Sequence, residues 1–314
     1  MQMILEIGID TGKNNTKAIM EVEGGEFVST IFPTSIRPSE KGDGDFITTY
    51  RNTRYIVGEE SDKLSIEQSK SNKRTMTHKI CVLTAIANII RQAEIDEEEV
   101  EGVKITLNVP FNDFRNVEER EEMISFYEGF TDFIANDVEY KFELSVTPYV
   151  EGAPVAMKNR SKLGEDEVVI IDLGSHNTMV LTYGENKKPI PNKCRQRNKG
   201  MRKLLTEVND EIRTKFDEEF DYKNLRKILM KEKKNVGEHL IQTAEGPVKE
   251  WLRTLKIWLK DCEINLDTSD VIIAGGGARM LKPYIYLEYG KDVIIDTDDI
   301  FANAKGSLLM FTTM

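Results

Sequence analysis

The sequence predicts an α/β protein built from two related units, and three observations carry that prediction. The chain has 314 residues, which is more than one hydrophobic core usually serves. A strand, an acidic turn and a second strand open each half, at residues 4–22 and again at 168–183. An apolar strand at 271–274 then runs into three consecutive glycines. Two such units facing each other are expected to form a ligand-binding cleft.

Strands are predicted where apolar residues alternate or run together between turn residues, and helices where apolar residues recur at helical spacing. The predicted strands are 4–9, 16–22, 27–31, 46–50, 54–57, 102–110, 143–148, 168–173, 177–183 and 271–274. The predicted helical segments are 78–91, 151–159, 199–260 with breaks at Gly237 and at Gly246-Pro247, and 299–310. Domain I is predicted as 1–164 plus 299–314, with a small inserted subdomain at about 34–74. Domain II is predicted as 165–298, with a helical subdomain at about 199–262.

Composition excludes several function classes. No run of 18 apolar residues is present, and the first residues are expected to form a strand rather than a signal peptide. Three widely spaced cysteines and three histidines argue against a disulfide framework, a zinc site or a histidine-rich centre. The net charge of −11 argues against direct nucleic-acid binding. We therefore expect a cytoplasmic protein that contacts neither membrane nor nucleic acid directly.

The first hairpin carries the run Asp10-Thr11-Gly12-Lys13-Asn14-Asn15-Thr16-Lys17. A tight turn between strands directs several backbone N–H groups inward, and such groups can bind phosphate oxygens. Asp10 ends the first strand and is suited to hold the hydration water of Mg²⁺. The candidate phosphate-binding residues are Gly12, Lys13, Asn14, Asn15 and Lys17. An ordinary hairpin turn is the alternative interpretation of each such loop.

The second hairpin, Asp172-Leu173-Gly174-Ser175-His176-Asn177-Thr178, repeats this scheme. Its candidate phosphate-binding residues are Gly174, Ser175 and Asn177, and Asp172 is the candidate for Mg²⁺. His176 either contacts phosphate or points outward, and we favour the outward orientation. Two copies at the start of two α/β units favour phosphate binding over two unrelated turns.

A third element, Gly275-Gly276-Gly277, follows the strand 271–274 and precedes a stretch compatible with a helix. Backbone without side chains can lie flat against a nucleoside and its α-phosphate. The alternative interpretation is a flexible turn between a strand and a helix.

The order of these three elements resembles that of the actin/Hsp70/sugar-kinase superfamily, over nearly the whole chain. Within it, several segments resemble the bacterial actin-like plasmid-segregation proteins of the ParM type. These segments are Leu107-Asn108-Val109-Pro110-Phe111, Pro148-Tyr149-Val150-Glu151-Gly152-Ala153 and Phe301-Ala302-Asn303-Ala304-Lys305-Gly306. The resemblance implies an actin-like (ribonuclease H-like) fold in which two related α/β domains flank a nucleotide cleft.

The resemblance also implies residue roles. Asp10 and Asp172 would hold Mg²⁺ through water and support catalysis, and the three glycines would face the nucleoside. Glu151 would position the attacking water, a role that suits a carboxylate near a transferred phosphoryl group. The alternative for Glu151 is an ordinary carboxylate in the first turn of a helix.

The function implied is a filament-forming ATPase that binds ATP or GTP with Mg²⁺. Its partners would be further copies of itself, stacked head to tail, and a DNA-bound adaptor protein in plasmid segregation. One alternative is a small-molecule kinase of the same fold. Others are an Hsp70-like nucleotide domain, which the absence of a peptide-binding domain disfavours, a non-enzymatic scaffold and a cytoskeletal actin homologue outside segregation.

Overall fold

The computed structural model describes residues 2–12, 14–41, 44–59, 73–162, 167–184, 188–231, 236–290, 292–296 and 300–311. The strands in these ranges are β1 Met3–Thr11, β2 Asn15–Glu21, β3 Phe27–Pro33, β4 Ile36–Pro38, β5 Phe46–Tyr50, β6 Thr53–Val57, β7 Val100–Val109, β8 Gly129–Ala135, β9 Val138–Val150, β10 Val168–Leu173, β11 Thr178–Tyr183, β12 Arg195–Arg197, β13 Asp270–Ala274 and β14 Ile294–Ile295. The α-helices are α1 Met76–Gln92, α2 Phe111–Arg115, α3 Val117–Tyr127, α4 Ala153–Lys158, α5 Met201–Phe216, α6 Tyr222–Leu229, α7 Glu238–Asp261, α8 Gly275–Tyr289 and α9 Ala302–Phe311. The predicted mixed α/β class is confirmed.

The chain divides into two compact units, Met1–Lys158 with Phe301–Met314 and Asn159–Ile300. Among the described residues of the first unit, nine strands form one sheet in the order β3-β2-β1-β7-β9-β8-β5-β6-β4. Its centre is parallel, because β7 pairs with β1 on one side and with β9 on the other. The carboxyl ends of these three strands therefore lie side by side at one edge.

Two helices cover opposite faces of this sheet. Alternate residues of β2 show the arrangement, since Ala18 and Met20 join the core cluster with α1, whereas Ile19 packs against α9. α1 begins at the cap residue Thr75, whose hydroxyl oxygen accepts a hydrogen bond from the His78 backbone N–H. Helix α9 also packs on α4, where Gly306 lies so close to Pro154 that a Cβ would overlap the Pro154 carbonyl. A glycine is needed at this contact because any side chain would separate the two helices.

The second unit has a sheet of order β12-β11-β10-β13-β14 among its described residues. Strands β10 and β13 are parallel, with Asp172 paired to Ala274, and β10 forms an antiparallel hairpin with β11. The core combines apolar residues of β10 and β13 with residues of helices α5, α6, α7 and α8. The carboxyl ends of β10 and β13 therefore meet, as those of β1 and β7 do in the first unit.

An arginine lies between two tryptophans in the second unit. The guanidinium carbon of Arg197 on β12 is 5.3 Å from the ring centroid of Trp251 and 4.9 Å from that of Trp258, both on α7. Burial lowers the pKa of Arg197 from its ordinary value. The cation–π contacts partly offset the cost of removing this charge from water.

The structure corrects several predicted boundaries. Helix α7 has Pro247 in its interior and continues through Gly246-Pro247, where a break was predicted, because it buries Val248, Trp251 and Leu255 beyond that point. The predicted break at Gly237 is correct, since Gly237 caps α7. The last helix begins at Ala302, three residues after the predicted start at 299, which lies outside the described residues. Among the described helices, none is both long and apolar enough to span a bilayer.

Candidate functional site

The first hairpin joins β1 to β2 and is closed by backbone hydrogen bonding. The Gly12 N–H donates to the Asn15 carbonyl oxygen at 3.0 Å, so the turn between Asp10 and Lys17 is tight. Asn14 is exposed, Asn15 is half-buried, and Lys13 lies outside the described residues. The hairpin therefore presents its backbone at the carboxyl end of β1, where the sequence placed a phosphate site.

Thr34, which sequence reasoning missed, braces this hairpin. Its hydroxyl donates to the Gly12 carbonyl oxygen at 2.6 Å, and its Oγ1 lies 2.9 Å from Thr16 Oγ1. The Thr34 N–H also donates to the Asn14 carbonyl oxygen at 2.9 Å. A polar residue directly after β3 is a weak sequence signal, because turns are commonly polar.

Asp10 and Lys17 occupy directly opposed positions of β1 and β2. Lys17 Nζ is 3.6 Å from Asp10 Oδ2, and the Asp10 residue is only 8% exposed. Next to Asp10, Thr11 Oγ1 is buried and makes no hydrogen bond with any residue that the structure describes. A buried hydroxyl of this kind ordinarily has a partner, so the end of β1 has hydrogen-bonding capacity to offer a ligand.

Glu151 follows β9 directly, beside the same edge. Its backbone N–H donates to the Val109 carbonyl oxygen at 2.8 Å, which extends the pairing of β9 with β7 by one residue. Helix α4 begins only at Ala153, so the alternative that Glu151 belongs to the first turn of a helix is wrong. The register of β1, β7 and β9 brings the candidates Asp10 and Glu151 to one edge of the first unit's sheet.

The Glu151 carboxylate is ion-paired with Lys73, a second residue that sequence reasoning missed. Lys73 Nζ is 2.9 Å from Glu151 Oε1 and donates to the Asn108 carbonyl oxygen at 2.5 Å. The pair links the residues just before α1 to the ends of β7 and β9. No local pattern indicates such a contact, because these three residues are far apart in the sequence.

The second hairpin is held by the start of α5. The Met201 N–H donates to the Gly174 carbonyl oxygen at 3.0 Å, and the Arg202 N–H donates to that of Ser175 at 2.9 Å. These donors belong to the first turn of α5, where backbone N–H groups have no partner within the helix. The hairpin is thus fixed by backbone contacts that no side-chain motif revealed.

Side chains of this hairpin are half-buried. Asp172, Ser175, His176 and Asn177 all have intermediate exposure. Ser175 Oγ is buried and forms no hydrogen bond within the described part of the chain. His176 Nε2 is also buried, so the expected outward orientation of this ring is wrong.

Gly275 connects β13 to α8 in a conformation that favours glycine. Its φ is +86°, and a Cβ there would overlap Asp172 Oδ1 and lie 2.9 Å from the Leu173 carbonyl oxygen. Gly276 is exposed and Gly277 is buried against Leu173 and Met201. The glycine run therefore brings the start of α8 against the second hairpin.

The second hairpin and the start of α8, both in the second unit, fit a bound phosphate group. Helix α8 starts without a side-chain cap, so its first N–H groups are available to an anion. The buried hydroxyl of Ser175, in the hairpin against which α8 begins, adds a potential donor. Among the described residues no three Asp, Glu, His or Cys side chains gather around one point, so Mg²⁺ would need oxygens from water or phosphate as well.

Comparison with known proteins identifies the fold of this architecture. Residues 8–153 match the family described as the N-terminal domain of actin-like proteins. The solved filament structure of Alp12 matches with a TM-score of 0.74 at 23% identity, covering 99% of this chain and 98% of that one. The chain has the actin-like fold. The predicted resemblance to the actin-like superfamily is confirmed.

Other solved structures match this actin-like chain over its whole length. The native crystal structure of Ta0583, an archaeal actin homologue, gives a TM-score of 0.78 at 16% identity, covering 99% of this chain and all of that one. Its complex with ADP gives 0.73 at the same identity and coverage. Apo pSK41 ParM gives 0.71 at 16% identity, covering 99% and 98% of the two chains. A search of curated protein sequences found no significant match.

Proposed function

We propose that this actin-like chain is a filament-forming nucleoside triphosphatase whose hydrolysis of Mg-ATP or Mg-GTP controls the stability of the polymer. The observation that carries the proposal is the repeated Asp-x-Gly hairpin. In each unit, a strand beside a parallel neighbour has an aspartate, Asp10 or Asp172, as its last residue but one, and a hairpin turn follows the strand. An ADP complex of one matched structure and a filament of another support the same function.

The proposed nucleotide contacts are those named from the sequence. The phosphates would be bound by Gly12, Lys13, Asn14, Asn15, Lys17, Gly174, Ser175 and Asn177, and the nucleoside by Gly275, Gly276 and Gly277. Asp10 and Asp172 would hold Mg²⁺ through water. This ion supplies charge neutralisation for the phosphates when it is bound.

Glu151 would carry the hydrolytic step. Its carboxylate accepts a proton from a water molecule, whose oxygen forms a bond to the γ-phosphorus. The bond from that phosphorus to the β–γ bridging oxygen breaks, and the nucleoside diphosphate leaves with the electron pair. This chemistry depends mainly on placement of the water, and Lys73 fixes one oxygen of the Glu151 carboxylate.

The polymer would form by head-to-tail contact between copies, a heterologous interface that extends instead of closing into a ring. A bound triphosphate would favour the polymer, and its hydrolysis would shift the equilibrium back by removing ligand contacts. The net charge of −11 fits a protein that reaches plasmid DNA through a DNA-bound adaptor rather than by direct contact.

Light scattering and sedimentation with Mg-ATP and Mg-GTP, at protein concentrations up to tens of micromolar, test this function. We expect wild-type filaments that form and then disassemble as phosphate is released. Glu151→Gln filaments should form and persist. Glutamine is preferred to alanine because it keeps an oxygen at the position that contacts the buried Lys73 ammonium, whereas alanine would leave that ammonium with the Asn108 carbonyl oxygen alone.

Glu143→Gln provides the matched control, since Glu143 is an exposed residue of the same strand, β9. Its filaments should disassemble at the wild-type rate. A wild-type chain that stays monomeric with both nucleotides while phosphorylating a small acceptor would overturn the filament function. The small-molecule kinase would then take its place.

A further inference from the structure

Lys73 is a buried cation whose two ends are both fixed. The residue is 3% exposed, and its Nζ contacts the Glu151 carboxylate and the Asn108 carbonyl oxygen. At the other end, the hydroxyl of the fully buried Tyr127 donates to the Lys73 carbonyl oxygen at 2.8 Å. Both the backbone and the ammonium group of Lys73 are therefore held in place by hydrogen bonds or ion pairing.

Burial makes Lys73 depend on Glu151. An ammonium group removed from water is strongly destabilising unless it is paired and hydrogen-bonded. Removing one member of a buried ion pair costs more than the pair contributes, because the remaining charge is left uncompensated. The contact between Lys73 and Glu151 is thus expected to persist in the folded protein.

The two members of the pair differ in exposure. The Lys73 side chain is 4% exposed and that of Glu151 is 20% exposed. The ion pair involves Oε1 of the carboxylate, while Oε2 makes no ion pair or hydrogen bond with any residue that the structure describes. Lys73 thus holds one oxygen of an otherwise accessible carboxylate.

The surrounding charges single out Lys73 as the cation that holds this group. Arg74 is already paired with Glu119 and Glu122. Asp113 lies close enough that burial, together with the charges of Glu119 and Glu151, raises its pKa, against the opposing effect of Arg74 and Lys73. Within the described part of the chain, Lys73 is the cation in contact with Glu151, in a neighbourhood rich in carboxylates.

We propose that Lys73 is a positioning residue for hydrolysis, holding Glu151 Oε1 so that Oε2 faces the attacking water. This inference rests on the proposed role of Glu151 in hydrolysis. A carboxylate anchored at one oxygen loses the rotational freedom that would otherwise misplace its second oxygen. Misplacement by about 1 Å can cost on the order of 100-fold in rate.

A double-mutant cycle on the full chain tests the proposal. Phosphate release is measured with whichever of Mg-ATP and Mg-GTP the wild type hydrolyses faster, for Lys73→Met, Glu151→Gln and the double variant. We expect Lys73→Met to lower kcat about tenfold or more with little change in KM, because nucleotide binding does not depend on the contact. In the Glu151→Gln background the same substitution should change kcat by less than about twofold.

Tyr127→Phe is the milder companion variant and decides the matter if Lys73→Met does not fold. It removes only the hydroxyl that holds the Lys73 carbonyl, so we expect a smaller fall in kcat that also vanishes in the Glu151→Gln background. Lys73→Arg, which keeps the charge, should retain more activity than Lys73→Met.

The outcomes separate the two proposals. If Glu151→Gln keeps the wild-type kcat, the hydrolytic role of Glu151 is wrong. Suppose that Glu151→Gln slows hydrolysis but Lys73→Met or Tyr127→Phe leaves kcat unchanged. Lys73 then does not act through Glu151. The same conclusion follows if Lys73→Met lowers kcat by the same factor in the wild-type and in the Glu151→Gln background. A merely structural role would lower stability and leave kcat of the folded fraction unchanged.

Discussion

The Oδ1 atom of Asp172 occupies the space that a Cβ on Gly275 would fill. Because Gly275 also has a φ of +86°, an alanine there meets both backbone strain and steric overlap. We expect Gly275→Ala to lower the free energy of unfolding by about 1–3 kcal/mol. Urea denaturation followed by circular dichroism measures the change.

Gly276→Ala is the matched control for that substitution. Gly276 is exposed, and a Cβ there would meet nothing within 4 Å. Its free energy of unfolding should stay within about 0.5 kcal/mol of the wild-type value. Equal losses in the two variants would show that the contact between Gly275 and Asp172 is not what requires a glycine.

Asp10 and Asp172 are predicted to be essential for hydrolysis rather than for folding. Either substitution would remove a carboxylate that accepts hydrogen bonds from the water ligands of Mg²⁺, so we expect Asp10→Ala and Asp172→Ala each to slow phosphate release by on the order of 100-fold at saturating nucleotide. Lys17 is left without its carboxylate in Asp10→Ala, but its side chain is 24% exposed and can be solvated by water.

The control for these variants is Asp132→Ala, which removes an exposed aspartate of β8. It should hydrolyse nucleotide at the wild-type rate. If Asp10→Ala and Asp172→Ala also hydrolyse nucleotide at the wild-type rate, neither residue takes part in hydrolysis.

The crossing of α9 and α4 gives a third prediction. Gly306→Ala places a methyl group on the Pro154 carbonyl, so the two helices must separate. We expect a loss of stability of about 1–3 kcal/mol, as for other overpacked contacts. Thermal denaturation should show a lower Tm.

Gly246→Ala tests whether the loss comes from the contact or from glycine replacement in a helix. Gly246 lies inside α7, where a Cβ would meet nothing within 4 Å. This change should leave stability within about 0.5–1 kcal/mol of the wild-type value, because the smaller entropy of the unfolded chain is opposed by the steric effect of the Pro247 ring on the residue before it. Gly306→Ala should therefore lower Tm more than Gly246→Ala does.

The three cysteines should differ in reactivity. Burial raises the pKa of the Cys81 thiol to about 12, and Cys194 is also buried. Cys262 is half-buried, and burial together with the charge of Asp261 raises its pKa, against the opposing effect of Arg195. A thiol reagent should therefore label Cys262 alone in the folded protein.

The rate of that labelling should rise with pH above neutrality, since a raised pKa leaves little thiolate at pH 7. Mass spectrometry identifies the labelled residue, and Cys262→Ser should abolish labelling of the folded chain. Rapid labelling of Cys81 before unfolding would contradict its position in the core.

The fold class was predictable because its signals are local. Runs of apolar residues ended by Asp-x-Gly turns identified β1 and β10, and their repetition indicated two related units. Helix α3 was missed because it buries only Met123 and Tyr127, which is too few to produce an apolar stripe. Strand β9 begins five residues before the predicted strand, since its exposed positions carry charged residues.

The candidate site was predictable only in its motif residues. Lys73 reaches Glu151 through folding, and Ser307 donates to Asn108 Oδ1 across 199 residues of sequence. Such partners have no fixed spacing, so no local pattern could assign them. The nucleotide-binding and catalytic roles of the motif residues remain predictions that the experiments above address.

The two tryptophans that contact Arg197, Trp251 and Trp258, have an optical consequence. The sequence contains two tryptophans, and both lie on α7 in the second unit, so intrinsic fluorescence excited at the indole band reports on that unit alone. Circular dichroism averages over both units, and a difference between the two unfolding curves would reveal units that unfold separately. A Phe130→Trp variant would place a tryptophan at an exposed position of β8 in the first unit. The difference between its fluorescence and that of the wild type would then report on the first unit.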